Sequence, residues 1–489
     1  MKTNLIEFPR AFAFAIDDLG WNEGSDLSIN NPSGPFRTGA KRKFDIKDYQ
    51  HIVAVGKAIG VRIQCSFILS EMDRENVLAK YPTTTYQREK WNNSRLVCDE
   101  QIHIMNYVIQ EAANMEFGFH GTGHEYWPEE GIQKRAEWYN LIDKEPWPEE
   151  SLRQHIEGYK EIMAQYGITP ENGHSFPESF VPCAYSFYWN PTGDYSLGKL
   201  LNEVGVKYAN TFFGQIPELN PPQDVNGGGF DHGTHVLNRM NYGNLWYELG
   251  TLPKVSLDFQ GTDIIESHWN NWLAQDEFLQ EEITNRWIQY YKEVQRFPNR
   301  YIAKNTEQLH SQWLYNKYTD VSEDISGNIE IDNSNMPEEV YANDTLGNMV
   351  LKIKLDTEKH ISIALLNNDL IPAYFEEEGF GFIYLPILEK QKYTLKYTIG
   401  TEVMPLHVFN DGTFNVYSLK KQGNIVTVLL KMYGTQAIKI KCSKPEEVVS
   451  LTNGLTIENY KYESATGMLN IVTNAINMQG TKGEIKILY

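Results

Sequence analysis

Two adjacent aspartates, Asp17 and Asp18, close a short apolar run, Ala11-Phe12-Ala13-Phe14-Ala15-Ile16. A second apolar run, Phe117-Gly118-Phe119, ends in His120-Gly121-Thr122-Gly123-His124. One strand ending in paired carboxylates and another ending in paired imidazoles is how an α/β fold assembles a metal site at one rim. The strands hold the ligands rigidly and the loops after them leave a coordination position open. Aspartate and imidazole suit zinc or a similar divalent ion. One carboxylate can bind the ion while its neighbour stays free to move a proton. Each motif also has a plainer account. Asp18-Leu19-Gly20 would serve as a turn or a helix N-cap, and the histidines could sit in a polar loop. Two glycines between the histidines disfavour a helix, so this is not the helical His-Glu-x-x-His pattern; a tight loop can fold both imidazoles to one side.

The two motifs resemble those of the polysaccharide deacetylase family, which shares the NodB homology domain. The matching stretches are Phe14-Ala15-Ile16-Asp17-Asp18 and His120-Gly121-Thr122-Gly123-His124, and the resemblance spans about the first 320 residues. It implies that Asp17 is the general base and that Asp18, His120 and His124 hold a divalent metal, with zinc expected. It also implies a NodB-like distorted (β/α) barrel and removal of acetyl groups from N-acetylated sugars or glycans. Two alternatives stand beside that activity: hydrolysis of another amide or imide C–N bond on the same fold, and glycan binding by a catalytically weakened scaffold.

Further motifs match more loosely. The family's general-acid histidine follows a late strand, and His268 in Ile264-Ile265-Glu266-Ser267-His268-Trp269 fills that place. The bland alternative is a core-edge histidine beside Trp269 and Trp272. Trp269 and Tyr185 are candidate substrate contacts, and a backbone N–H near Tyr185 is a candidate oxyanion donor. The third motif departs from the family. Phe176-Pro177-Glu178-Ser179-Phe180-Val181-Pro182-Cys183-Ala184-Tyr185 lacks the arginine that orients the base. Its loss leaves Asp17 less well held, unless Arg239 compensates from another loop; Ser179 or Tyr185 could supply a hydrogen bond instead. Asp231-His232-Gly233-Thr234-His235, after Gly227-Gly228-Gly229, is a competing ligand cluster, read as a glycine-rich surface loop with incidental histidines. The triple glycine lacks the lysine and context of a phosphate loop.

Strand-like and helix-like segments alternate through the first 320 residues. Strands are expected at 11–16, 61–69, 116–120, 206–212 and 262–267. Helices are expected at 45–59, 95–114, 130–141, 148–166, 271–296 and 304–317. This is the signature of a parallel sheet with crossover helices, whose catalytic groups belong at the C-terminal strand ends. Residues 321–328 read as a linker. Beyond it, short alternating runs such as Ile425-Val426-Thr427-Val428-Leu429-Leu430 and the turns Asn410-Asp411-Gly412 and Asn453-Gly454 predict an all-β sandwich. The expected division is therefore a barrel over 1–320 and a sandwich over 325–489.

The net charge of −20 disfavours nucleic acid and anionic membranes as partners and favours neutral or cationic substrates; a carbohydrate or small amide substrate is what the resemblance implies. Tyr 29, Phe 22 and Trp 11 are generous counts that suit sugar stacking and core filling alike. Four widely spaced cysteines, Cys65, Cys98, Cys183 and Cys442, fit neither a zinc finger nor a redox motif. No transmembrane segment is expected. The residues after Met1 lack a signal-peptide core, so the expectation is cytoplasmic if Met1 is the native start, and periplasmic or secreted otherwise. The sequence leaves the oligomeric state open.

Overall fold

Seven parallel strands close into a barrel in the computed structural model, which describes residues 6–22, 40, 42–129, 132–219 and 226–489. They are β1 (Arg10–Leu19), β2 (Ile63–Ile68), β3 (Met115–Gly121), β4 (Ser179–Phe180), β5 (Tyr208–Thr211), β6 (Thr234–Met240) and β7 (Ile264–His268). Each strand pairs with the next in sequence, and β7 returns to β1 with His268 opposite Asp17. The lower half of β1 also pairs with β8 (Arg300–Ile302), Arg300 lying opposite Arg10. The crossover helices are α1 (Ile46–Ile59), α2 (Asp99–Gln110), α3 (Glu149–Ala164), α4 (Leu197–Glu203) and α5 (Gln280–Gln295). The α/β barrel expected from the sequence is present.

Local chemistry explains these elements. Alternation along β1 turns Phe12, Phe14 and Ile16 to the core under α5, where Phe14 meets Trp287 and Tyr291 with ring centroids 5.0 Å away. Alternation is what a strand with two different faces requires. Inside the barrel Asn210 donates to Gln64 at 3.0 Å, while Gln64 Nε2 and Asn210 Oδ1 find no partner among the described residues. Asp45 caps α1 and shares a capping box with Asp48, and Gly60 ends the helix at φ 64°, a conformation that favours glycine.

Helix α6 (Thr306–Tyr318) follows β8 and lies across the foot of the barrel. His310 meets His235 at the start of β6, Thr306 donates to Glu116 on β3 at 2.8 Å, and Gln312 donates to the Pro9 carbonyl at 2.7 Å. Residues Thr306 to Tyr315 are all buried, so the helix is covered on every face. Leu309, Trp313, Leu314 and Tyr315 join a second apolar core with the C-terminal sheets. Those sheets are antiparallel apart from one pairing, Ala373 and Tyr374 running parallel to Val408 and Phe409. An N-terminal strand, Ile6–Glu7, adds to the same β region beside Lys352 and Ile353.

Several expectations are corrected. The helix expected over 130–141 is absent among the described residues, 130 and 131 lying outside them. Ile132–Arg135 instead pairs with Glu125–Glu129, and Trp138 turns inward to donate to the His120 carbonyl at 2.9 Å. Ile132, Ala136 and Tyr139 mimic helical spacing, but the chain forms a hairpin and a loop that buries Ala136, Trp138 and Tyr139. The helix expected from 271 begins at Gln280, after short 3-10 turns at Trp269–Trp272 and Glu277–Leu279. Residues 321–328 are no free linker. Asp320–Glu323 and Ile329–Asp332 form a hairpin, its turn held by Asp324 accepting from the Ser326 and Asn328 amides. Asp231-His232-Gly233 is the turn between Gly228–Asp231 and β6, not a loose surface loop. Residues Met1 to Leu5, on which the leader reading partly rests, lie outside the described residues. No described helix is long and apolar enough to cross a membrane.

Candidate active site

The C-terminal rim of the barrel opens into a cavity of about 470 Å³. Its lining brings together Asp17 and Asp18 from β1, His120 and His124 from β3 and the loop after it, Tyr185 from the turn after β4, and His268 from β7. A larger open groove of about 750 Å³ runs along the outer face of α5, away from these residues.

Arg239, on β6, fills the place of the missing arginine. Its guanidinium grips Asp17 with two parallel bonds, Nη1 to Oδ1 at 2.9 Å and Nη2 to Oδ2 at 2.5 Å. Both side chains are almost wholly buried. A fork of this kind fixes the orientation of a carboxylate, while each oxygen keeps a further lone pair. Burial works against the guanidinium, but the charges of Asp17 and Glu266 outweigh it and raise its pKa. Arg239 comes from a barrel strand, not from the loop expected. Of the substitutes considered, Ser179 Oγ has no partner among the described residues and Tyr185 donates to Glu266 at 2.5 Å, so neither takes the arginine's part.

The two histidines are anchored through Nδ1. His120 Nδ1 lies 2.7 Å from the Val181 carbonyl, and His124 Nδ1 lies 2.7 Å from Glu125 Oε1. Both therefore turn Nε2 towards Asp18 Oδ1, His120 at 3.3 Å and His124 at 4.0 Å. Anchoring one ring nitrogen while presenting the other is the usual outer-shell arrangement of metal-binding histidines. Asp18 Oδ1 is buried and, among the described residues, has no hydrogen-bond partner. Burial pushes the Asp18 carboxyl up, but contact with His120 and the charges of His268 and His124 outweigh it and hold it far below the usual range. Burial likewise pushes His120 down, yet Asp18 and Asp17 raise it overall. An anionic corner with an orphaned carboxylate oxygen fits a cation.

Cys183 completes a second grouping: a ligand atom from each of His120, His124 and Cys183 lies within 4.8 Å of the others, all three buried, so the cluster could bind a metal. The thiol, however, donates to the His120 carbonyl at 3.3 Å and lies 3.8 Å from Glu137. Burial and the Glu137 charge push its pKa well up. To bind an ion the thiol would have to give up its contacts with the His120 carbonyl and Glu137.

Backbone geometry at the rim is unusual. Asp18, His124, Ala184 and Tyr185 are all left-handed without being glycine, with φ of 70°, 67°, 50° and 58°. Strain of this sort clusters at functional sites. The glycines of the histidine loop answer a different need. A Cβ on Gly121 would lie 2.2 Å from Glu137 Oε2, and one on Gly123 would lie 2.0 Å from the Thr84 carbonyl.

His268 places Nε2 4.0 Å from Asp18 Oδ2 and Nδ1 3.8 Å from Glu266 Oε1. Trp269 does not reach the cavity: it is fully buried against Phe44 and Tyr49, so its expected substrate contact is corrected. The aromatic lining comes instead from Trp246 and Trp21, the latter 5.0 Å over the His124 ring. The Tyr185 amide is engaged with the Pro182 carbonyl at 3.2 Å and is not a free oxyanion donor. His232 reaches the Asn190 carbonyl and His235 lies at the barrel foot, so neither competes for the site. Sequence reasoning missed Glu266, Asn241, Trp246 and the Cys183 contact. Only Glu266 had a signal, two residues before His268 and on the same strand face.

No protein-family model matches the chain, and no curated protein matches it. Among solved structures, a GH57-type branching enzyme from the hyperthermophilic archaeon Pyrococcus horikoshii is similar with a TM-score of 0.28 and 10% identity. The match covers 60% of this chain and 62% of that enzyme, less than two thirds of its length. A likeness of that size carries no inference about activity.

Proposed function

We propose that this protein is a metal-dependent hydrolase of the polysaccharide deacetylase kind, releasing acetate from N-acetylated sugars or glycans. The observation that carries the reading is the division of labour between neighbouring aspartates. Asp17 is locked by Arg239, while Asp18 faces two anchored imidazoles with an unpartnered buried oxygen. Asp18, His120 and His124 are the residues that would hold the ion, and their chemistry favours zinc. When bound there, the ion would polarise the acetyl carbonyl and lower the pKa of water towards ~7.

The chain's own groups supply the rest. Asp17, oriented by Arg239, takes the proton of the attacking water. His268, on the neighbouring strand, gives a proton to the departing nitrogen, so water and amide become acetate and amine. Glu266, facing His268 Nδ1, steadies that imidazole when it is charged. Trp246 offers a ring face to a sugar, while the buried Trp21 packs against His124 and excludes water. The regained arginine argues against a weakened, binding-only scaffold. We place the β-sandwich division at about residue 325 on the change to short alternating strands and assign the region beyond it no catalytic residue, although its apolar core also takes in Leu309, Trp313, Leu314 and Tyr315 of α6.

The test is elemental analysis of the purified protein together with acetate release from chito-oligosaccharides and N-acetylated monosaccharides. Bound metal with acetate release abolished by Asp17→Asn supports the reading. Bound metal with no acetate, but turnover of cyclic imides, would move the activity to another C–N bond. A protein that binds no divalent metal would sink the reading.

A further inference from the structure

The geometry points to Glu137 as a positioning residue that sets the histidine loop through its backbone, braced from behind by His155 and Thr83; this rests on the metal reading above. Glu137 is wholly buried and, among the described residues, has no lysine or arginine paired with its carboxylate. Its charge is met instead by consecutive backbone amides. Oε1 accepts from Thr122 N at 2.8 Å, and Oε2 accepts from Gly123 N at 3.2 Å and His124 N at 2.7 Å. His155 Nδ1 adds a contact to Oε1 at 2.7 Å. A buried carboxylate is costly unless its oxygens are satisfied, and successive amides turned to one point make an anion nest.

The loop is built around that carboxylate. Gly121 lacks a Cβ where one would strike Glu137 Oε2, and His124 is left-handed at φ 67° where its amide reaches the same oxygen. The His124 ring is then turned by Glu125. Two carboxylates therefore act on one candidate ligand, Glu137 on its backbone and Glu125 on its imidazole. Behind Glu137, His155 Nε2 meets Thr83 Oγ1 at 2.9 Å. Hydroxyl, imidazole and carboxylate in that order also describe a nucleophilic triad. Here the carboxylate is occupied by the loop and the imidazole is fully buried beneath Tyr126, which marks the trio as a brace.

Glu137→Gln keeps the shape but turns an amide N–H₂ towards donors, so at least one loop contact is lost. The measurement is the Zn²⁺ dissociation constant of the full chain by chelator competition, with the visible absorption spectrum of the Co²⁺-loaded protein. We expect zinc binding weakened by roughly 10–100-fold, the usual cost of losing an outer-shell partner, and a shifted cobalt band. Thr83→Val, at the partly exposed end of the brace, should fold normally and weaken zinc in the same direction by a smaller factor. If Glu137→Gln folds with wild-type zinc affinity and cobalt spectrum, the inference is wrong. If it does not fold, unchanged values in Thr83→Val overturn it equally. A wild-type chain that binds neither ion would overturn the metal reading itself, and this inference with it.

Discussion

Arg239→Met removes one half of a buried, bidentate ion pair. With charge centres ~4 Å apart and an effective dielectric of ~20, the attraction is about 4 kcal/mol. Removing one partner also strands the other charge, and such changes typically cost about 3–5 kcal/mol of stability. Asp17 and Arg239 are both almost wholly buried, so solvent cannot repair the loss. The single variant should therefore unfold at a clearly lower denaturant concentration than the parent. Asp17→Asn should do the same, because it strands the guanidinium, while Asp17→Asn combined with Arg239→Met should recover much of the loss by leaving no bare charge. Activity should follow a different pattern. Arg239→Met frees the base to rotate, and a displacement of about 1 Å can cost ~10²-fold in rate. Both variants lacking Asp17 should release no acetate while keeping their metal. Denaturant titration and acetate release on the four proteins form one double-mutant cycle. If the two single losses simply add and Arg239→Met keeps full turnover, Arg239 does not hold the base.

The ligand set can be tested by metal content. Asp18→Asn should lose most bound zinc, whereas Cys183→Ser should retain it, because the thiol is engaged with the His120 carbonyl; the opposite outcome would assign the ion to the cysteine. At the barrel foot His235 and His310 meet Nδ1 to Nδ1 at 3.0 Å, and burial pushes His235 down to about 3. A histidine with a lowered folded pKa leaves stability intact above its ordinary value of 6.5. Stability is lost as the pH falls from there towards 3, because only the unfolded chain takes up the proton, on the order of several kcal/mol at full extent. Replacing both residues by glutamine should flatten stability between pH 6.5 and 4 in denaturant melts, and a profile parallel to the parent's would refute this. A fragment of residues 304–489 should melt cooperatively and at higher temperature than one of 325–489, which leaves behind Leu309, Trp313, Leu314 and Tyr315 of its own core; equal melting points would show that α6 adds nothing.

What the sequence disclosed followed from short-range chemistry. Apolar runs ending in Asp17-Asp18 and in His120 are visible because strand, turn and polar tip are contiguous, and the barrel's alternation reads directly from periodicity. Helix 130–141 failed for the converse reason. Ile132, Ala136 and Tyr139 repeat at a helical spacing, but tertiary packing drew the segment into a hairpin and an inward loop. The third motif shows the same limit from another side. An arginine sought near Phe176–Pro182 is supplied by Arg239, and no local pattern links the two stretches. The link exists only because closing seven strands brings β6 and β1 to the same rim, where a guanidinium from one can reach a carboxylate on the other. A motif search requires the residue at its usual place in the chain, whereas the chemistry requires only the charge at its place in the barrel. The arginine sought at 176–185 and the one found on β6 thus differ in chain position, and it is the one on β6 that reaches Asp17. That account also ties the Arg239 cycle to the family question: if Arg239 proves dispensable, the strongest reason for reading this rim as a deacetylase site despite its altered third motif is gone.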